Sequence, residues 1–298
     1  QAIAGAILLP NGVALMREVV PEKRRASRFG LVGSAMALSA TAGPPLGGFL
    51  VAIADWHAIF YVNLVFILPA LLLGWRVLPI HRASQGGSSF DLRGTLLLGI
   101  VLMGAAGLLI LNAERLLISI VGVCVVLAVA VYFFWYEWQH PDPVLQLRFF
   151  CIRKFAAANG AVALSNLAMY STMLAVPILL SRQSGWSSTQ TGLVLTALMA
   201  TSVIFAPIGG HLADRWGRRW PAVCGLSLFS FALLPLALTG GDVSIVMLVC
   251  CLGVSGIGLG VAGAGIQTSA VEAVERQQAG AASGIYATSR YLGSIIGS

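Results

Sequence analysis

One short polar segment between two apolar runs carries most of the side chains that could do chemistry. It reads Gly-Gly-His-Leu-Ala-Asp-Arg-Trp-Gly-Arg-Arg-Trp-Pro over residues 209–221. A carboxylate in such a segment can pair with a nearby guanidinium group, or it can accept hydrogen bonds at the N-terminus of a helix. We therefore expect Asp214 either to cap the helix that follows it or to pair with Arg218 or Arg219.

The glycines of this segment have a geometric role. Gly210 would let two helices approach closely, and Gly217 is suited to a positive φ angle in a tight turn. Pro221 suits the first turn of the next helix. The alternative interpretation is a solvated basic loop, which needs no interaction with another helix.

Other chemistries lack the residues that they need. The five cysteines form no C-x-x-C pair, and the four histidines are far apart, so no disulfide framework or metal site is predicted. With two lysines, the chain has no G-x-x-x-x-G-K-[ST] segment and hence no such nucleotide site. We expect no cofactor and no enzymatic activity.

The composition is that of a membrane protein. Of the 298 residues, 58% are hydrophobic and 10% are charged, whereas soluble domains carry about 25% charged residues. The mean hydropathy is +0.88. The net charge of +7 is scattered in short clusters, so we expect no nucleic-acid partner and a lipid bilayer as the surroundings.

Apolar runs of about 20 residues predict ten membrane-spanning helices, so the fold class is an all-α polytopic membrane protein. The predicted spans are residues 1–19, 28–53, 59–79, 93–111, 116–136, 155–181, 191–210, 221–239, 243–266 and 280–298. Fourteen basic residues fall in one set of alternating loops and two in the other. The positive-inside rule makes the first set cytoplasmic and predicts a multi-pass protein of the cell's cytoplasmic (inner) membrane.

Two longer cytoplasmic segments divide the chain. Residues 80–92 are rich in glycine and serine, as in a flexible linker, and residues 137–154 contain two prolines. They separate residues 1–79, a two-helix hairpin at 93–136, and residues 155–298.

A second conspicuous pattern lies in the outer half of the second span. Residues 43–48 read Gly-Pro-Pro-Leu-Gly-Gly, which predicts a kinked and tightly packed helix. A packing kink without a role in transport is the simpler alternative. The residues that define the pattern are Gly43, Pro44, Gly47 and Gly48.

Both patterns resemble those of the major facilitator superfamily of transporters. The first is similar to that family's G-x-L-A-D-R-x-G-R-R loop, and the second to its G-P-x-x-G-G antiporter motif in the fifth span. The resemblance implies the family's fold and a loop that switches as the transporter changes face. It assigns that role to Gly210, Asp214, Arg215, Gly217, Arg218 and Arg219.

The count of spans resembles the fourteen-span drug–proton antiporter branch. Five spans separate the G-P-x-x-G-G helix from the signature loop, where twelve-span members have three. On this alignment about ten of fourteen helices are present and the chain is a fragment. Residues 1–79 are then spans four to six of the N-terminal bundle, 93–136 an inserted hairpin, and 155–298 a truncated C-terminal bundle.

Polar and adaptable side chains within the spans are candidates for the substrate cavity. For each of them, hydrogen bonding or packing between helices is an equal alternative. Carboxylates map to span ends or loops, so we expect the proton-binding group in spans before residue 1. The cavity candidates are Asn11, Ser34, Ser39, Asn63, Asn166, Met169, Tyr170 and Arg290.

The resemblance implies proton-coupled efflux of hydrophobic or cationic small molecules by alternating access. The implied partners are such a substrate, protons and, in a Gram-negative host, a periplasmic adaptor. A carrier of one metabolite, amino acid or siderophore is the alternative within the family. A channel and a non-transporting remnant are the alternatives from other classes.

Overall fold

The computed structural model describes residues 2–55, 57–77, 91–110, 116–140, 143–182, 188–238 and 244–297. Within these residues the chain forms ten α-helices, three short 3₁₀ helices and no strands. The helices are α1 (Ala2–Val19), α2 (Arg25–Ile53), α3 (Ala58–Val77), α4 (Leu92–Ile110), α5 (Leu116–Gln139), α6 (Arg153–Arg182), α7 (Ser188–Trp216), α8 (Arg219–Leu238), α9 (Ile245–Glu272) and α10 (Ala279–Gly297).

The all-α membrane class is confirmed, and each predicted span corresponds to one helix. Over the described residues, six helices are long and apolar enough to cross a membrane: α3, α5, α6, α7, α8 and α9. Their surfaces carry large exposed apolar side chains, such as Phe66 at 70% and Phe231 at 71% exposure. Such exposure suits contact with lipid tails, because lipid is as apolar as the side chains.

Helix α9 lies at the centre of the packed part of the chain. It packs most extensively on α7 and α8, and α2 crosses over to pack on α7. Helix α6 packs on α10, which also contacts α1. Helices α4 and α5 pack chiefly on each other, as the hairpin interpretation predicts.

Close backbone contact between α7 and α9 explains the glycine stripe of α9. A Cβ added to Gly256 would collide with the carbonyl oxygen of Leu198, and one on Gly260 would lie 2.7 Å from that of Ser202. No hydrophobic effect drives helices together in lipid, so they associate through close van der Waals packing. Small residues permit that packing because the two backbones can approach each other. The stripe therefore positions α7, and the signature segment at its end.

Two apolar cores lie at opposite ends of this bundle. One contains Phe149, Phe155, Ile266 and Tyr286 near the cytoplasmic end. The other joins α6, α7 and α9 near their outer ends and includes Leu180, Leu198 and Leu252.

Several boundaries differ from the predicted ones. Helix α7 continues to Trp216 rather than 210, so most of the signature segment is helical rather than a turn. The predicted linker 137–154 contains the end of α5, a 3₁₀ helix at Leu147–Cys151 and the start of α6. Polar and charged residues continue a helix into the cytoplasm, where hydropathy no longer marks it. Residues 80–90 and 111–115 lie outside the described residues, and the domain division stays a prediction.

Replacing Gly256 with alanine should destabilise the protein, because its Cβ would have to displace the α7 backbone. Overpacking of this kind costs roughly 1–3 kcal/mol. The apparent Tm in detergent, followed by tryptophan fluorescence, should fall by several degrees. Gly253→Ala on the same helix is the matched control, since among the described residues its Cβ would meet only Thr201 Cγ2, at 3.9 Å. Equal melting of the two variants would contradict this packing.

Candidate functional site

The carboxylate of Asp214 joins the end of α7 to the beginning of α2. Its Oδ1 accepts a hydrogen bond from the Ala26 amide at 3.0 Å, and its Oδ2 accepts one from the Ser27 amide at 2.8 Å. The Ser27 hydroxyl also donates to Oδ2, at 2.5 Å. These amides belong to the first turn of α2, where backbone N–H groups have no partner within the helix.

Of the two expected roles of Asp214, pairing with Arg218 is present at 3.5 Å, whereas capping of the following helix, α8, is wrong, because the helix that it caps is α2. Helix α2 lacks a side-chain cap from its own N-cap residue, Arg24. A negative charge at a helix N-terminus interacts favourably with the helix dipole and with the free N–H groups. Sequence spacing could not reveal this partner, because it lies 187 and 188 residues away along the chain.

Gly210 brings the two helices close enough for this contact. A Cβ at this position would overlap the carbonyl oxygen of Ala26, and Gly30 of α2 meets Ala206 of α7 in the same way one turn further on. The Ser34 hydroxyl, deeper still, donates to the carbonyl oxygen of Val203. The predicted close approach at Gly210 is thus present, and it is the approach of α7 to α2.

Arg218 extends the junction to α9. Its guanidinium forms two hydrogen bonds with the Glu272 carboxylate, at 3.1 and 3.3 Å, and lies 3.5 Å from Asp214 Oδ1. It also donates to the carbonyl oxygen of Glu22 at 2.8 Å. The turn that places Arg218 here passes through Gly217, whose φ is +86°, as its residue type predicts.

Glu272 lies between two arginines from different parts of the chain. Besides Arg218, it pairs with Arg25 of α2 at 3.3 Å. The exposed fractions of these three side chains are 19%, 18% and 16%. Ion pairs this sheltered from water depend on keeping both partners, because removing one leaves the other charge buried.

A second set of bonds ties α1 to the segment after α9. Arg17, which is buried, donates to the carbonyl oxygens of Val274 at 2.5 Å and Glu275 at 2.9 Å. In the opposite direction, Arg276 donates to the carbonyl oxygen of Glu18 at 2.7 Å. We call this whole set of contacts the cytoplasmic latch, after the side on which the positive-inside rule predicts it. It comprises Arg17, Arg25, Ala26, Ser27, Asp214, Arg218, Glu272 and Arg276.

Of these eight latch residues, the sequence pattern singles out only Asp214 and Arg218. Arg17, Arg25 and Arg276 read as ordinary basic residues of the chain, and Glu272 as a carboxylate at a span end. An acidic residue at the cytoplasmic end of a helix, amid basic loops, was the available signal for Glu272. Nothing local in the sequence marked Arg17 or Arg25 as a donor to a distant helix.

The other two arginines of the signature segment are exposed. Arg215 lines an open cavity of about 450 Å³ beside Asp214, together with Lys23, Arg24 and Arg28. Arg219 begins α8 and lines a second cavity, of about 820 Å³, between α6, α8 and α9. A switching role for Arg215 and Arg219 stays a prediction.

The antiporter-like pattern lies in the outer half of α2. Gly43, Pro44, Gly47 and Gly48 all fall within this continuous helix. At Gly43 an added Cβ would meet no atom of the described residues within 4 Å. The predicted kink and its role in export stay predictions.

The candidate cavity residues do not converge on one site among the described residues. The amides of Asn11, Asn63 and Asn166 donate to carbonyl oxygens four residues earlier in their own helices. The Ser39 hydroxyl does the same, whereas Ser34 bonds α7. Met169 packs against the outer apolar core, Tyr170 is 39% exposed, and the Arg290 guanidinium lies 5.3 Å from the ring centroid of Tyr291. Substrate contact at these positions stays a prediction.

The sequence as a whole matches one family of transporters. The profile of the Major Facilitator Superfamily matches residues 1–140 and 159–298, which is nearly the entire chain. The chain belongs to the major facilitator superfamily. It is a membrane-embedded transporter sequence and not an enzyme.

Individual superfamily members share about a third of its residues. An uncharacterized MFS-type transporter of Bacillus subtilis, YvkA, is 32% identical over the full chain, which spans 67% of that relative's length. The multidrug resistance protein Stp of Mycobacterium tuberculosis is 31% identical, again over the full chain and 56% of the relative. The riboflavin transporter RibZ of Clostridioides difficile is 27% identical over the full chain and 64% of its own length. The chain thus spans between about half and two thirds of these relatives.

Removing the charge of Glu272 should open the cytoplasmic latch, because Arg25 and Arg218 would lose their shared carboxylate. In a cysteine-free background of the complete protein, spin labels on Lys23→Cys and Trp216→Cys report the separation of α2 and α7. Pulsed electron resonance should show a single short distance, and Glu272→Gln should add a longer one. Glu275→Gln, whose exposed carboxylate is outside the latch, is the control. An unchanged distance distribution in Glu272→Gln would contradict the assigned role.

Proposed function

We propose that the chain is the greater part of a proton-coupled exporter of small hydrophobic or cationic molecules, of the fourteen-span drug–proton antiporter branch. It works by alternating access, in the cytoplasmic membrane. The observation that carries the proposal is the capping of α2 by Asp214 across 187 residues of chain. A bond between a helix of the first half and a helix of the second is what a transporter must break to open toward the cytoplasm.

The latch has the energetics that a reversible closure needs. In the closed arrangement Asp214 accepts three hydrogen bonds, of which the two from backbone amides also stabilise the helix end. Hydrogen bonds to charged groups contribute about 1.5–3 kcal/mol each, net of water. When the helices part, water can solvate the same groups, so opening costs a few kcal/mol rather than tens.

The hairpin α4–α5 supports the fourteen-span interpretation. It lies between α3 and α6 and packs chiefly on itself. We infer that both of its helices cross the membrane, which would leave the orientation of all later helices unchanged. Five helices, α3 to α7, therefore lie between α2 and the end of the signature segment.

Drug export is favoured by the multidrug resistance relative and by the G-P-x-x-G-G pattern of α2. Transport of one defined metabolite is the second candidate, and the riboflavin transporter among the relatives favours it. Both use the same latch, so the latch does not distinguish between them. Only the exporter proposal includes a partner protein, namely a periplasmic adaptor in a Gram-negative host.

Purified complete protein in liposomes tests the transport proposal. A pH gradient across the membrane should drive movement of a cationic dye, and collapsing the gradient should stop it, whether or not ATP is present. Riboflavin competing with the dye at low concentration would favour the metabolite carrier. Dye flux that continues without any gradient would indicate a channel, and no flux of any tested compound would indicate a non-transporting protein.

Asp214→Asn should lower the transport rate about tenfold, because losing about 1.5 kcal/mol of charge-assisted bonding changes the population of the closed state by that factor. Membrane insertion should be unchanged, as judged by the amount of protein in purified membranes. Asp55→Asn is the matched control, since Asp55 is exposed at the outer side and pairs with His57. Wild-type rates in Asp214→Asn would show that the latch has no role in turnover.

A further inference from the structure

Two carboxylates outside the latch converge in the α4–α5 hairpin. Asp91 directly precedes α4 and is 8% exposed, and Glu137 lies in the last turn of α5 and is 2% exposed. Acidic side chains are almost never buried to this extent without a partner. In each of them, however, one carboxylate oxygen has no hydrogen-bond partner in the part of the chain that the structure describes.

The other oxygen of each carboxylate accepts hydrogen bonds from the protein. Asp91 Oδ1 accepts hydrogen bonds from the Gly94 amide at 2.9 Å and the Tyr136 hydroxyl at 3.0 Å. Glu137 Oε2 accepts one from the Leu145 amide at 2.9 Å. The two carboxylates are thus held in position by α4, by α5 and by the segment that leads toward α6.

The two remaining oxygens, Asp91 Oδ2 and Glu137 Oε1, face the same small space beside Gly94. A Cβ placed on Gly94 would lie within 2.5 Å of both, so the two oxygens are no more than about 5 Å apart. Two buried carboxylates at this separation cannot both remain ionised without a large cost. One proton between them removes the repulsion and gives each bare oxygen a partner.

We propose that Asp91 and Glu137 form a proton-binding site in which one proton is shared between Asp91 Oδ2 and Glu137 Oε1. The pair takes up this proton from cytoplasmic water, so its charge changes from −2 to −1 and no other bond is made or broken. A bound proton holds α4, α5 and residues 143–145 together. Loss of the proton leaves two charges that repel each other within the hairpin, beside the segment that leads toward α6.

A proton fits the site better than a metal ion does. Mg²⁺ and Ca²⁺ take six or more oxygen ligands, and this space offers two carboxylate oxygens. Within the described residues no group of three or more His, Cys, Asp or Glu side chains is positioned to hold a metal.

Among the described residues, the cationic or titratable groups near the pair are Arg93 on α4 and His140 at the end of α5, and Tyr136 donates as described. Helix α10 also contacts α4, and its one charged residue is Arg290. Residues 143–147 carry no charge.

The proton should make the folded protein less stable as pH rises. Carboxyl groups of an unfolded chain are ionised above about pH 5. The folded pair would still hold one proton there, so the folded state binds more protons and loses stability with rising pH. Between pH 5.5 and 8.5, the apparent Tm of the complete wild-type protein in detergent should fall as pH rises. The Tm of Glu137→Gln should depend less on pH, because this variant lacks the shared proton. Glu275→Gln, with an exposed carboxylate, should keep the wild-type slope.

Infrared spectroscopy tests the sharing of the proton without relying on any variant's stability. At pH 7 the wild-type protein should show the C=O stretching band of a protonated carboxyl group, shifted in D₂O. Asp91→Asn and Glu137→Gln should each abolish the band, and Gly94→Ala should weaken it by separating the oxygens. Absence of the band in wild type, or equal pH slopes in wild type and Glu137→Gln, would overturn the proposal. A metal site would also overturn the proposal. It would be indicated by a wild-type Tm that rises with added Na⁺ or Mg²⁺ at fixed pH, with no such rise in Glu137→Gln.

The pH dependence of the Tm and the infrared band both test the shared proton independently of the transport proposal, because neither measurement requires substrate or a proton gradient. A protein that transports normally but lacks the band would refute the shared proton alone.

Discussion

Asp214 holds the first turn of α2 against the last turn of α7, and the arrangement of the cytoplasmic side follows from that contact. Without it, the amides of Ala26 and Ser27 would face the end of another helix with no acceptor. With it, α2 lies close enough for Arg25 to reach Glu272, and Glu272 in turn orients Arg218. One carboxylate thus links α2 to α7, and through Arg218 to α8 and α9. Because these groups can be solvated when separated, the contact can close a transporter without locking it.

The latch also depends on packing deeper in the membrane. Helix α7 is held on α9 by glycine contacts at Gly209, Gly256 and Gly260, where no side chain would fit. This packing fixes the height and rotation at which Asp214 emerges from α7. A closely packed α7–α9 pair with a charged tip is suited to rocking as a unit against α2. The two meet at this tip and, deeper in the membrane, at Gly30 and Ser34 of α2.

The number and order of the helices could be predicted from the sequence, because apolar runs report directly on the bilayer. The orientation that the basic loops indicate stays a prediction. Helix ends could not be predicted, since α7 and α5 continue into polar sequence as far as Trp216 and Gln139. The signature residues were recognisable, but the partner of Asp214 was not. Its capping of α2 depends on which helices become neighbours, and local spacing favoured the nearer α8. The convergence of Asp91 and Glu137 was hidden for the same reason: each reads as an ordinary charge at a helix end, and the pairing of α4 with α5 brings them together.

Amide hydrogen exchange at the start of α2 tests the central claim most directly, because the Ala26 and Ser27 amides are the donors to Asp214. Mass spectrometry of the complete protein can compare peptides covering residues 20–34 in wild type and Asp214→Asn. The account predicts slow exchange in wild type and clearly faster exchange in Asp214→Asn, with peptides from the outer ends of α6 and α9 unchanged. Equal exchange at the start of α2 in the two proteins would contradict it.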